Sequence, residues 1–151
     1  MNTNTLALLV VIRTGEGTAD PDGYRRLFGG ELINDLSDHP RRVVRKRLGG
    51  RPISSSAAGA YQALRGTWDD FIRACGPHDF YPESQDEFAM WCIKRRKALA
   101  DIEAGRFREA IQKLNKEWAS LPESPYGQPV MTWAKAHKIY EESGGLYAPP
   151  E

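Results

Sequence analysis

Cysteine is scarce: Cys75 and Cys92 are the only two in 151 residues. Two cysteines make no disulfide framework, and their spacing matches no metal-binding pattern. They read as free thiols in or near the core, which suits folding in a reducing compartment. Net charge is equally scarce, because 21 basic and 20 acidic groups leave only +1. Nothing global therefore pulls the chain toward nucleic acid or a membrane surface. The one strongly apolar run, Leu6-Ala7-Leu8-Leu9-Val10-Val11-Ile12, has seven residues. No Lys or Arg precedes it and no small-residue cleavage site follows, so it does not read as a signal peptide. A spanning helix needs about 20 apolar residues, so stable membrane insertion is not expected. The expected location is the cytoplasm of the cell that makes the protein. Histidine is limited to His39, His78 and His137, far apart and not joined by Cys or carboxylate at ligand spacing, so no metal site is expected. There is no Gly-X-Ser-X-Gly elbow, Walker loop or dinucleotide fingerprint, so no cofactor is expected either.

What remains is an ordinary globular composition, 27% charged and 40% hydrophobic. The length fits one domain over residues 1–151. Charge bias is local. Between Arg41 and Arg51 lie six basic residues and no acidic one, which reads as a solvated face or as a patch that attracts an anionic polymer.

Residues 4–14 predict a helix apolar nearly all round, hence buried. Gly15 and Gly17 are stop signals, which places Glu16 at or just past the helix end. Turn clusters follow at Asp20-Pro21-Asp22-Gly23 and Gly29-Gly30. Glu31-Leu32-Ile33 and Val43-Val44 predict short strands of a small antiparallel sheet. Residues 49–56, rich in Gly and Ser, read as a flexible loop, and helical signals resume at Ala57. Ser84-Gln85-Asp86-Glu87 has the form of a capping box opening a helix that ends in Lys94-Arg95-Arg96-Lys97. Further helices are expected over 98–104, 107–118 and 131–142, with a disordered tail over about 146–151. Trp68, Trp91 and Trp118 sit in helical patterns and read as core. The order gives an α+β fold, mostly helical with a small antiparallel sheet.

Cys92 lies between Trp91 and Ile93 and reads as core rather than as a nucleophile, which leaves the carboxylates. Glu16 follows an apolar helix, so burial disfavours its anion. The helix C-terminus disfavours the anion again, and flanking glycines leave room for a ligand. Burial and the helix end both raise its pKa toward a value useful in protonating a leaving group. The alternative is a solvated surface residue. Asp35 and Asp38 read as turn residues.

Seven short motifs occur together and in order: Glu16-Gly17-Thr18, Gly29-Gly30-Glu31-Leu32, Asp35-Leu36-Ser37-Asp38-His39-Pro40-Arg41, Gly59-Ala60-Tyr61-Gln62, Ser84-Gln85-Asp86, Trp118-Ala119-Ser120-Leu121-Pro122 and Tyr126-Gly127-Gln128. In this series the chain resembles the lambda-type phage endolysins from about residue 6 to 145. The resemblance implies a lysozyme-like fold and a lytic transglycosylase acting on peptidoglycan glycan strands. Such an enzyme cleaves the bond between N-acetylmuramic acid and N-acetylglucosamine and leaves an anhydro-muramic end. It also implies Glu16 as the catalytic acid, with Tyr61 and Gln62 shaping a cleft floor and Ser120 and Tyr126 on the opposite side. Tyr24, beside Gly23, is a further candidate sugar contact. The segment between Glu16 and Gly29 is shorter than in the lambda protein, and Asp22-Gly23-Tyr24 stands where that protein has a histidine before Gly-Tyr. Ala57 and Ala60 also differ from it. The family implies release to the wall through a membrane lesion made by a separate phage protein. A monomer with no nucleic-acid partner is expected. A water-using muramidase of the same fold and a non-enzymatic wall-binding module are the alternatives.

Overall fold

The computed structural model describes residues 1–149, so the last two residues of the expected tail, Pro150 and Glu151, lie outside the described residues. The elements are α1 (Thr3–Glu16), a short 3-10 turn (Gly23–Arg25), β1 (Val44–Leu48), β2 (Arg51–Ser55), α2 (Arg65–Cys75), α3 (Pro82–Arg95), α4 (Leu99–Glu103), α5 (Phe107–Leu114) and α6 (Trp133–Glu142). Contacts group them into two compact units. One joins Met1–Gly17 to the chain from Met90 onward, and the other is Thr18–Ala89. The division falls within α3.

In the first unit, Ala7, Leu8, Leu9, Val11 and Ile12 of α1 are at most 2% exposed, as the all-round apolar pattern demands. Asn2 starts the helix by accepting the Thr5 N–H at 2.9 Å. Gly17 ends it with φ 75 and an N–H directed at the carbonyls of Arg13 and Thr14. A side chain strains that left-handed turn, so the residue after Glu16 is fixed as glycine. Helix α1 packs on α4 and α6. Helix α5 stops at Leu114 rather than near Trp118, because the chain turns there. The Asn115 side chain, buried at that turn, donates to the Pro122 carbonyl at 3.0 Å. Trp118 is core nonetheless, but Trp91 is only half-buried and carries the Arg95 guanidinium 4.5 Å above its ring. The basic end of α3 is anchored, with Arg95 and Arg96 both pairing with Glu117.

Over residues 146–148 the expected disorder gives way to a docked segment. Leu146 N–H donates to Asn4 Oδ1 at 2.9 Å and Ala148 N–H to the Gly105 carbonyl at 3.0 Å. Tyr147 adds a ring against Phe107 and Tyr140. The prolines concealed these aromatic and backbone contacts. Thr132 caps α6 by accepting the Lys135 N–H at 3.1 Å. Thr132→Ala is expected to lower stability by about 1 kcal/mol, read from denaturant midpoints at unchanged slope.

In the second unit the sheet is one antiparallel hairpin of β1 and β2, with Arg45 opposite Ser54 and Arg47 opposite Pro52. The stretch expected as a loop is thus a strand. Gly49 and Gly50 both have positive φ, 59 and 77, the signature of a tight turn that matches strand twist. Pro52 is tolerated because an edge strand can spare a donor. The expected Glu31–Ile33 strand is reduced to a bridge between Arg26 and Leu32. Arg41 and Arg42 are engaged by Asp38, Asp69 and Glu31, while Arg45, Lys46, Arg47 and Arg51 stand exposed on the hairpin. Helix α2 begins at Arg65, not near Ala57. Residues 58–63 double back, with Ala58 and Ala63 exchanging two backbone hydrogen bonds. Helix α3 begins at Pro82, a residue pre-set for a first turn. Ser84 is therefore inside the helix and donates to Asp79 Oδ1 at 2.7 Å instead of capping. The core gathers Trp68, Phe71, Phe80 and Phe88, with Trp68 5.0 Å from Phe80 and 5.3 Å from Phe88. Cys92 is buried as expected, but Cys75, the last residue of α2, is exposed where that helix leaves the core.

Candidate active site

Glu16 is the last residue of α1. Ser120, from the loop after α5, donates its hydroxyl to Glu16 Oε2 at 3.0 Å. Gly15 permits this approach, since a Cβ there would sit 2.6 Å from Ser120 Oγ. Gly15 thus lies inside the helix, and its job is close packing rather than termination. Beside it, Thr14, Gly15, Ser120, Pro129, Val130, Met131 and Lys135 line a shallow concavity of about 190 Å³.

Burial pushes the Glu16 carboxyl up to about 7, and the Ser120 hydrogen bond opposes part of that rise. Other carboxylates move the opposite way. Asp20, Asp35, Asp69 and Asp79 are lowered, first of all by side-chain hydrogen bonds from Arg26, Ser37, Arg41 and Ser84. Asp101 is lowered too, its burial outweighed by Lys113 and Arg106. Glu16 is the one carboxylate among the described residues with a resolved rise. At neutral pH it populates both protonation states, so a single group can give a proton and take one. Ser120→Ala removes the opposing hydrogen bond. The Glu16 carboxyl is then expected to titrate at higher pH than in the wild type, observed by carboxyl-carbon NMR.

Tyr126, also in the first unit, is 56% exposed and anchored by its hydroxyl to the Lys116 carbonyl at 2.7 Å. That leaves its ring open to a ligand.

In the second unit the expected residues form a hydrogen-bonded group around Asp86, a carboxylate to which the sequence pattern assigns no site role. Tyr24 and Tyr61 both donate to Asp86 Oδ1, each at 2.7 Å. Their rings meet edge-on, with centroids 6.3 Å apart. Tyr61 is 1% exposed, so its ring offers no open face. Gln62 holds a positive φ of 45, and its amide donates to the carbonyls of Arg26 and Gly59 at 3.1 and 2.9 Å. Asp35 and Asp38 are exposed turn residues, bonded locally to Ser37 and Arg41. His39 is buried, with Nε2 2.7 Å from the Ala63 carbonyl. Asp86 was hidden because its tyrosine partners lie 62 and 25 residues away. No local pattern marks such a cluster.

Comparison with known proteins extends these findings. A family model described as Endolysin matches residues 6–147. The endolysin of Escherichia phage lambda is 40% identical over 151 residues, covering 96% of this chain and 94% of that protein. The endolysin of Escherichia phage P2 is 36% identical over 157 residues, covering 96% and 95%. Among solved structures, bacteriophage lambda lysozyme complexed with a chitohexasaccharide aligns with a TM-score of 0.89 at 36% identity over 97% of each chain. A second structure of lysozyme from bacteriophage lambda aligns with a TM-score of 0.83 at the same identity and coverage. The fold is therefore that of lambda lysozyme, α+β with a small antiparallel sheet.

Proposed function

This chain belongs to the endolysin family, and on that premise we propose that it degrades bacterial peptidoglycan to lyse a host cell. The chemistry is lytic transglycosylation at the β-1,4 bond between N-acetylmuramic acid and N-acetylglucosamine. Glu16, protonated, gives its proton to the glycosidic oxygen. The C1–O bond breaks and its electron pair leaves with that oxygen. The ionised Glu16 then takes the proton of the muramic C6 hydroxyl as that oxygen bonds to C1. The carboxyl ends protonated, a 1,6-anhydro ring has formed, and no water is consumed. Attack from within the same sugar carries the advantage of proximity. The sugar's own N-acetyl group can stabilise the cation-like intermediate.

One observation carries this reading: a single carboxyl raised to about 7 and held by Ser120. A hydrolytic glycosidase ordinarily sets two carboxylates about 5–5.5 Å or about 6.5–9.5 Å apart. Among the described residues of the first unit, Glu16 is the one carboxyl with a resolved rise. Asp101 and Glu117 there are consumed by ion pairs, and Glu123 accepts the Trp133 indole N–H. Ser120 orients the acid, and the open ring of Tyr126 packs on sugar. Tyr24, Tyr61 and Gln62 are proposed to serve glycan binding, Tyr61 through the hydroxyl it donates to Asp86, since its ring is covered. The exposed cations of the hairpin steer the protein toward an anionic wall in a salt-dependent way. No helix of the described residues is long and apolar enough to cross a membrane. Release to the wall is proposed to occur through a lesion made by a separate, holin-type protein.

Digestion of purified sacculi in water enriched in heavy oxygen tests the reaction type. Transglycosylation leaves the fragments unlabelled. Heavy oxygen at the new reducing ends identifies the hydrolytic muramidase instead.

A further inference from the structure

Asp86 is placed with unusual care for a residue that makes no ion pair. It sits in the second turn of α3. One oxygen, Oδ1, accepts two phenolic hydroxyls, from Tyr24 and Tyr61, at 2.7 Å each. The other oxygen, Oδ2, has no hydrogen-bond partner among the described residues, yet it is not sealed off: it is absent from the buried unpartnered atoms, which are Trp68 Nε1 and Ser124 Oγ. No cation in the described residues pairs with it.

The neighbouring residue makes the arrangement rigid. Gln85 is 2% exposed. Its amide donates to the carbonyls of Tyr24 and Phe80 at 2.9 and 2.7 Å, and its oxygen accepts the Ala60 N–H at 2.8 Å. Gln85 thus holds the backbone at Tyr24 and beside Tyr61, while Asp86 holds their hydroxyls. A half-buried carboxylate with one oxygen fixed and the other open, flanked by aromatic rings, is a pre-organised acceptor. That open oxygen, accessible to solvent, can exchange its water for a ligand donor.

We propose that Asp86 Oδ2 is a glycan-binding acceptor, taking a hydrogen bond from a sugar hydroxyl or acetamido N–H, with Tyr24 and Tyr61 as the positioning residues that aim it. This rests on the proposed glycan substrate and adds a contact to it. It accounts for a covered Tyr61 in terms of the carboxylate it fixes.

The test uses the full-length protein with chitohexaose as the probe, measuring affinity by calorimetry and melting temperature in parallel. Asp86→Asn keeps an oxygen for the two tyrosines and turns the open acceptor into a donor. Affinity is expected to fall about 10-fold or more, the scale of one hydrogen bond to a charged group, with the melting temperature close to that of the wild type. Tyr24→Phe frees the carboxylate to turn and is expected to weaken binding a few-fold, which keeps the test decisive if Asp86→Asn folds poorly. Unchanged affinity in both variants overturns the proposal, as does a wild type that does not bind the probe. A loss of kcat on sacculi with affinity intact also overturns it, because it assigns Asp86 to the reaction itself. A wild type that binds chitohexaose more tightly than Asp86→Asn yet releases nothing from sacculi supports this contact and sinks only the catalytic reading.

Discussion

Replacing Glu16 with glutamine is expected to lower kcat on purified peptidoglycan by about 10³-fold, within the range general acid–base catalysis contributes. Glutamine has the size of glutamate and can still accept the Ser120 hydroxyl. It cannot protonate the leaving oxygen, and it cannot take the C6 proton afterwards. Both halves of the reaction are lost at one residue, which keeps the effect above the lower end of that range. Wall binding, measured by co-sedimentation with sacculi, is expected to persist. A Glu16→Gln protein that clears walls at the wild-type rate removes Glu16 from the mechanism and favours a binding module.

The same substitution is expected to stabilise the protein above neutral pH. The Glu16 carboxyl sits at 4.5 when free and at about 7 in the fold, so the native state holds the proton more tightly than the unfolded chain. The stability this gives the wild type is complete below pH 4.5, is lost as pH rises through about 7, and stays lost above that. Glutamine carries no charge to desolvate and escapes the loss. At 1.36 kcal/mol per pKa unit the gain at pH 8 is on the order of 3 kcal/mol, or about 6–12 °C in melting temperature for a chain of this size. Near pH 4 the two proteins are expected to melt together. Melting curves across that range check the sign, and a constant difference at every pH contradicts a buried, proton-binding Glu16. An acid poised near neutrality therefore costs the fold stability, as functional groups often do.

The sequence is most readable where local pattern and burial coincide. Helix α1 was legible because its apolar residues leave no polar face, and such a helix has only one place to go. Glu16 was legible for the same reason, since a carboxylate at the end of that helix inherits its dry surroundings. Gly15 has the local pattern of a stop, because close approach of Ser120, 104 residues on, leaves no local mark. The hairpin has the composition of a loop, because Gly, Ser and Pro weigh as looseness when counted, whereas two adjacent left-handed glycines make a tight turn. The helix expected from Ala57 failed for a related reason, because Gly59 and Gln62 take positive φ and fold the chain back on itself. Asp86 stands in the sequence within a capping motif and within the Ser84-Gln85-Asp86 motif of the resemblance, with no role of its own marked by either. Its partners come from distant segments, and tertiary contact alone assembles them. The docked segment around Tyr147 belongs to the same class: its prolines suggested disorder, and its aromatic neighbours are on other elements.

Central to the account is one carboxyl, Glu16, acting as both acid and base without water. Mass analysis of the muropeptides released from purified sacculi, with wild type and Glu16→Gln in parallel, tests this most directly. The account predicts fragments ending in anhydro-muramic acid, each one water lighter than its hydrolysed counterpart, from the wild type and essentially none from the variant. Fragments carrying only reducing ends, or equal release by both proteins, contradict it.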